Sequence, residues 1–175
     1  MPESSHPTLL GPLLETWDRS HTILVGLLSA LPQGGLEART TEGSPSIAEL
    51  FAHIHFVRLA AVYENDPTLA EAHPDGVPAD ENEWRAEPNP SRLSEMLNGS
   101  AAVVRGAVEG WLTPADPDLS TLLKRYDHPM FLLQHLLWHE AYHVGQMKLA
   151  LKAAGLPMSD QEAGPLTWGM WWRRK

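Results

Sequence analysis

Four long stretches of this chain repeat apolar residues with the period of an α-helix, and no stretch of comparable length alternates as a strand would. That property restricts the chain to packing helix against helix. The first stretch runs from about Pro12 to Ala30, with Leu13, Leu14, Trp17, Ile23, Leu24, Leu27 and Leu28 as its stripe, and Pro32 ends it. The second opens on Ser46-Ile47-Ala48-Glu49, a capping box in which the Ser and Glu side chains each satisfy a backbone N–H that the first turn leaves without a partner. Leu50, His53, Ile54, Val57 and Ala61 then share one face, to about Tyr63. The third spans about Ser91 to Leu112 through Leu93, Met96, Leu97, Val103, Val104 and Val108, and Thr113-Pro114 closes it. The fourth begins at Asp127-His128-Pro129, with Asp as the cap and Pro in the first turn. It continues to Ala154, where Gly155 and Pro157 stop it.

The connections are unequal. A loop rich in Gly and Thr joins the first two helices. Between Asn65 and Pro90 the pattern gives way to Pro, Gly and the acids Asp66, Glu71, Asp75, Asp80, Glu81, Glu83 and Glu87, with Trp84 marking a part that packs. After Leu156 the chain carries Trp168, Trp171 and Trp172, three of its seven tryptophans. The expectation is an all-α four-helix bundle over residues 1–175, one domain with a long crossing loop and an aromatic C-terminal tail.

At 175 residues such a chain buries a core without disulfides or a structural metal. It has no cysteine, so His and carboxylates are its only strong metal ligands. No apolar run is long enough to span a membrane, and Met1 to Pro12 lack the basic start and apolar stretch of a secretory leader, which points to a cytoplasmic protein. Net charge is -9, and apart from Arg173-Arg174-Lys175 the basic residues are dispersed. No face suits nucleic acid.

The fourth helix holds His135, His139 and His143 at a period of four. Neighbouring rings leave the same face about 6 Å apart, whereas the outer two are about 12 Å apart, so a single ion takes one neighbouring pair. His53, on the apolar stripe of the second helix, is the best source of another ligand, and His55 lies about 200° further round and points away. Three imidazoles with an open position describe a catalytic rather than a structural metal. Their surroundings, Phe131, Leu132, Leu136, Leu137 and Trp138, give no reason for repeated imidazoles, each of which costs desolvation unless paired or bound.

His139-Glu140-Ala141-Tyr142-His143 also matches the H-E-x-x-H pattern of zinc proteases. A protease of that kind needs a third ligand downstream and a strand edge to hold peptide. Position 149 is Leu, Glu162 falls beyond the Gly155 stop, and no strand is evident. The protease reading is set aside.

The cap Ser46-x-x-Glu49-Leu50 leading into Ala52-His53-Ile54, with His139-x-x-x-His143-x-Gly145-Gln146 on a final long helix, resembles the DinB/YfiT-like superfamily from about Thr16 to Gly155. The resemblance implies an up-up-down-down bundle, often a homodimer, with zinc or nickel held by His53, His139 and His143. His135 then becomes an outer or pocket residue, Gly145 fits a close helix approach, and Gln146 is placed to hydrogen-bond a ligand or carbonyl. Family members include S-transferases that use thiols such as bacillithiol, and a mycothiol-dependent isomerase. The function expected is activation of a small thiol or water by the metal against a small electrophile. Tyr142 and Glu140 are candidate acid/base groups, each with a structural alternative. The tail tryptophans are either a wall of the metal's mouth or a cap or dimer contact, and the acidic crossing loop repels anions if it borders that mouth. The alternative function is a stress- or DNA-damage-inducible metal-binding protein without catalytic activity.

Overall fold

The computed structural model describes residues 9–76, 83–113 and 123–172. Asp80, Glu81, Pro114 and the basic end Arg173, Arg174 and Lys175 lie outside them. The described residues form six α-helices, a closing 3-10 turn and no strand, the one extended contact being an isolated bridge between Arg39 and Ser46. The long helices are α1 (Leu10–Ser29), α2 (Ile47–Tyr63), α4 (Pro90–Leu112) and α5 (Pro129–Ala153). Two short ones, α3 (Pro67–Glu71) and α6 (Asp160–Leu166), break segments expected to be irregular. Both have local causes. Asp66 caps α3 through Leu69 N with Pro67 in its first turn, and Ser159 with Glu162 forms a second capping box ahead of α6. No helix among the described residues is long and apolar enough to cross a membrane.

The caps explain where the long helices begin and stop. Ser46 accepts from Glu49 N while its own N–H donates to the Glu49 carboxylate. Asn89 caps α4 by accepting from Ser91 N and Arg92 N, so Pro90 is its first residue. His128, not Asp127, caps α5, its Nδ1 accepting from Met130 N. The extended backbone at His128 brings a side-chain acceptor over the first turn, one residue later than expected. At the other end Gly155 takes φ +75°, and Leu156 N–H reaches back to Leu151 O, a Schellman stop.

Cross-helix contacts set the directions. Trp17 meets Ala101 and His21 meets Asn98, so α1 and α4 are antiparallel. His55 meets Met96 and Arg58 meets Leu97, so α2 and α4 are parallel. His53 faces His139, while Val62 shares a cluster with Leu132, which makes α2 and α5 antiparallel. The order is therefore up-down-down-up, not up-up-down-down. The physical reason lies in the connections: a parallel neighbour must be reached from the far end of the preceding helix, and the long crossing through α3 joins α2 to α4 for that purpose.

Helix α2 is the central element, buried on nearly every side from Ile47 to Val62, rather than along the single face its periodicity suggested. Val57 and Ala61, assigned to that face, are only half-buried. Two apolar clusters share the interior. One joins Trp17, Val62, Val104, Val108, Leu132 and Leu136, the other Leu24, Ile47, Phe51, Leu97, Met147 and Leu151. Between them, along α2 and α5, lies a layer of buried polar groups: His53, His55, Arg58, Glu140 and His143.

Candidate metal centre

The polar layer is built where α2 faces α5. His53 leaves α2, and His139 and His143 leave α5 one turn apart. His139 Nε2 lies 3.0 Å from His53 Nε2 and 3.0 Å from His143 Nε2. His53 and His143 are buried and His139 half-buried. Burial, then the neighbouring His143, lowers His53 to about 4. Burial, followed by His143 and His53, takes His139 to about 3. Burial also lowers His143, against the hydrogen bond it donates to Gln146. Three neutral rings therefore meet at neutral pH.

Their protons cannot satisfy one another. Gln146 Nε2 donates to the Tyr142 hydroxyl at 3.2 Å, which turns Gln146 Oε1 toward His143 Nδ1 at 2.6 Å. That oxygen only accepts, so His143 carries its hydrogen on Nδ1 and a lone pair on Nε2. A neutral ring nitrogen either donates or accepts along one in-plane direction, so His139 Nε2 satisfies one of its two neighbours and not both. A cation among the three removes the conflict. Metal–nitrogen bonds of about 2.1 Å separate ligand nitrogens by about 3.0 to 3.4 Å for angles between about 90° and about 109°, and the observed spacing falls at the short end. These residues fit a divalent metal, and they form a group that could hold one.

The crossing segment covers this group. Trp84 stacks on the His53 ring at 3.8 Å with the planes 7° apart, and stands 6.2 Å from His143. Glu83 Oε1 lies 3.0 Å from His53 Nδ1, but off the line an N–H would take, since that nitrogen has no hydrogen-bond partner among the described residues. Of the acidic loop, Glu83 lies beside the histidines, whereas Asp75 lies beside His55 and His73.

Beneath the histidines, Glu140 is buried and gripped by Arg58, whose Nε and Nη2 donate to its two oxygens at 2.7 and 2.9 Å. Arg58 is fully buried as well, donates Nη1–H to Leu97 O at 2.9 Å and lies over the Trp17 ring at 4.9 Å. The glutamate of H-E-x-x-H is thus occupied in an ion pair. It is not free as an acid or base. The sequence held a signal for this pair: Arg58 interrupts Phe56-Val57-Arg58-Leu59-Ala60-Ala61, and a charge within an apolar helix must find a counter-charge.

A match to the DinB superfamily family model covers residues 16–147, which include all three histidines and most of the four long helices. The chain belongs to the DinB superfamily. Searches of curated proteins and of solved structures found no match.

Several expectations for this DinB protein change on contact with the geometry. His135 is exposed, and its Nδ1 pairs with the Tyr126 hydroxyl at 2.6 Å rather than with a ligand histidine, because Tyr126 precedes α5 and folds back onto its second turn. Gly145 faces open space: a Cβ there would meet nothing within 4 Å, so no close helix approach requires it. Gln146 does hydrogen-bond a ring of the group. The tail tryptophans do not wall the histidines. Trp168 and Trp171 line a hollow of about 320 Å³ between α1 and α5, together with Ile23, Leu137 and Val144, because α6 docks against α1 and carries them to the opposite side of α5. The aromatic wall is Trp84.

The shifted histidines make stability depend on pH in a direction that can be stated. His21, His53 and His139 keep neutral rings down to about 4, about 4 and about 3, with burial the largest cause in each. In the unfolded chain the rings protonate near about 6.5. Between these values the unfolded state binds more protons, so stability is complete above about 6.5 and is lost as pH falls toward about 4. Urea midpoints of metal-free protein should be lower at pH about 5 than at about 7.5. Equal midpoints would contradict the buried, neutral rings.

Proposed function

We propose that this protein is a metalloenzyme in which His53, His139 and His143 hold one divalent cation, zinc or nickel, for attack by a small thiol or water on a small electrophile. The observation that carries this reading is the meeting of three ring nitrogens with too few protons for their contacts. When bound, a divalent cation with an open position lowers the pKa of a coordinated thiol or water and yields a nucleophile at neutral pH. The chain's own groups set the rest. Gln146 fixes the tautomer of His143, an outer hydrogen bond of the kind that orients ligand imidazoles. Trp84 closes the His53 side, so the approach is left on the side of half-buried His139 and of Tyr142. The Tyr142 hydroxyl accepts from Gln146 and keeps its own proton to donate, which places a hydrogen-bond donor at the mouth. Glu83, beside His53 on the closed side, places negative charge next to the group and favours a neutral electrophile over an anion.

The test is metal-dependent conjugation of bacillithiol or mycothiol to a halo-nitroarene: a C–S bond forms, the carbon–halogen bond breaks, halide leaves, and the thiol proton passes to solvent. The expected result is turnover with zinc or nickel that chelation abolishes. No turnover with any thiol of a broad panel, and no metal-dependent hydrolysis of activated esters by water, with metal bound, would leave a metal-binding protein without catalytic activity.

A homodimer belongs to the same proposal. On α5, Phe131, Trp138 and Leu149 form one exposed apolar stripe, 53 to 67% accessible. A two-fold contact needs a surface complementary to itself, and an apolar stripe qualifies. Light scattering should return about twice the 19.4 kDa chain mass. A monomer at tens of micromolar would remove this part of the proposal.

A further inference from the structure

Two residues past His53, α2 carries another buried histidine, and a turn of about 200° sends it to the other side of the helix. His55 is 1% exposed, and its Nδ1 lies 2.9 Å from the Met96 carbonyl oxygen on α4. A carbonyl only accepts, so Nδ1 carries the proton and Nε2 presents a lone pair. Among the described residues Nε2 has no hydrogen-bond partner, and neither has Asp75 Oδ2, which faces it at 3.7 Å. Two buried acceptors with no proton between them are a costly arrangement. His73 comes to the same point: its side chain is 7% exposed, its Nδ1 is 3.8 Å from Asp75 Oδ2, and its ring is 5.4 Å from that of His55.

We propose that His55, His73 and Asp75 form a second divalent-metal site, separate from the first and served by the opposite side of α2. One ligand atom from each lies within 4.8 Å of the others, close enough to share one ion. Two imidazoles and a carboxylate select a borderline cation such as zinc, cobalt or nickel over magnesium or calcium. The hydrogen bond from His55 Nδ1 to Met96 O is the outer contact that holds a ligand ring with its other nitrogen forward. Arg92 binds the other carboxylate oxygen, Oδ1, and leaves Oδ2 facing the histidines. Behind His73, α4 has Gly99, where a Cβ would fall 2.2 Å from His73 Nε2; only glycine leaves room for this ring. His73 Nδ1 accepts from Asp75 N at 3.2 Å, a long contact that a metal would replace. His55, Asp75, Arg85, Glu87 and Arg92 border a cavity of about 450 Å³, which gives an ion a way in. The site ties the crossing segment after α3 to both α2 and α4.

The experiment titrates metal-free full-length protein with Co²⁺, reading visible absorption and bound metal by elemental analysis. Asp75→Asn and His73→Gln carry the test because the fully buried His55 is the position whose loss would most endanger folding; circular dichroism confirms that each variant is folded. Wild type should bind about two equivalents. D75N and H73Q should each bind about one, H139A/H143A about one, and D75N/H139A/H143A none. Two equivalents retained by folded D75N and H73Q would overturn the proposal. So would a single wild-type equivalent that H139A/H143A loses and D75N keeps, which upholds only the first site. A single equivalent lost in D75N and kept in H139A/H143A upholds this site and sinks the first.

Discussion

His139→Ala should cost the protein the metal proposed between α2 and α5 while leaving its helical circular dichroism intact. His139 is the ring common to both short contacts, 3.0 Å from His53 and 3.0 Å from His143, so its removal leaves two nitrogens with no third. Loss of an outer partner of a metal ligand alone weakens binding about 10- to 100-fold, and loss of the ligand should exceed about 100-fold. Folding survives for a separate reason. His139 is half-buried, and the apolar clusters on either side of the polar layer do not include it. Bound metal, measured by elemental analysis after identical purification, should fall by about one equivalent. An unchanged metal content would sink the assignment, and global unfolding would contradict the division between metal and core.

The largest stability effect is expected at Glu140→Ala. That change strands the Arg58 guanidinium, fully buried, with the Leu97 carbonyl, His21 Nδ1 at 3.5 Å and the Trp17 face as its remaining partners. Removing one member of a buried ion pair typically costs about 3 to 5 kcal/mol, which for a chain of this length lowers the melting temperature by roughly 10 °C. Replacing both members, Arg58→Met with Glu140→Leu, should cost less than the single change, because no charge is left unpaired. Urea unfolding of the two variants checks both statements. A loss below about 1 kcal/mol in E140A, or a double variant worse than the single, would show that the pair is not what holds the polar layer.

Much of the helical framework was legible because its signals are local. The Ser46–Glu49 box, the stop at Gly155 and the long helices at Ile47–Tyr63 and Pro129–Ala153 follow from propensity and capping over a few residues. The same local chemistry, a Ser159–Glu162 capping box, opens α6. Within the candidate site, His53, His139 and His143 could be named from spacing and resemblance, and the structure brings the three together. Trp84 and Glu83 could not. They come from a crossing segment without periodicity, and nothing in the order of residues says where such a segment lands.

Residue order by itself determined the long elements: an all-α chain, four long helices to within a residue or two of their ends, and the face each histidine takes on its own helix, since all of these depend on neighbours within one or two turns. Tertiary structure alone decided the up-down-down-up order, the burial of α2 on nearly every side, the capture of Glu140 by Arg58, and the meeting of His55 with His73 and Asp75. Those are contacts between residues far apart in the chain. Each is selected by the summed packing of whole helices, a quantity that no local pattern encodes.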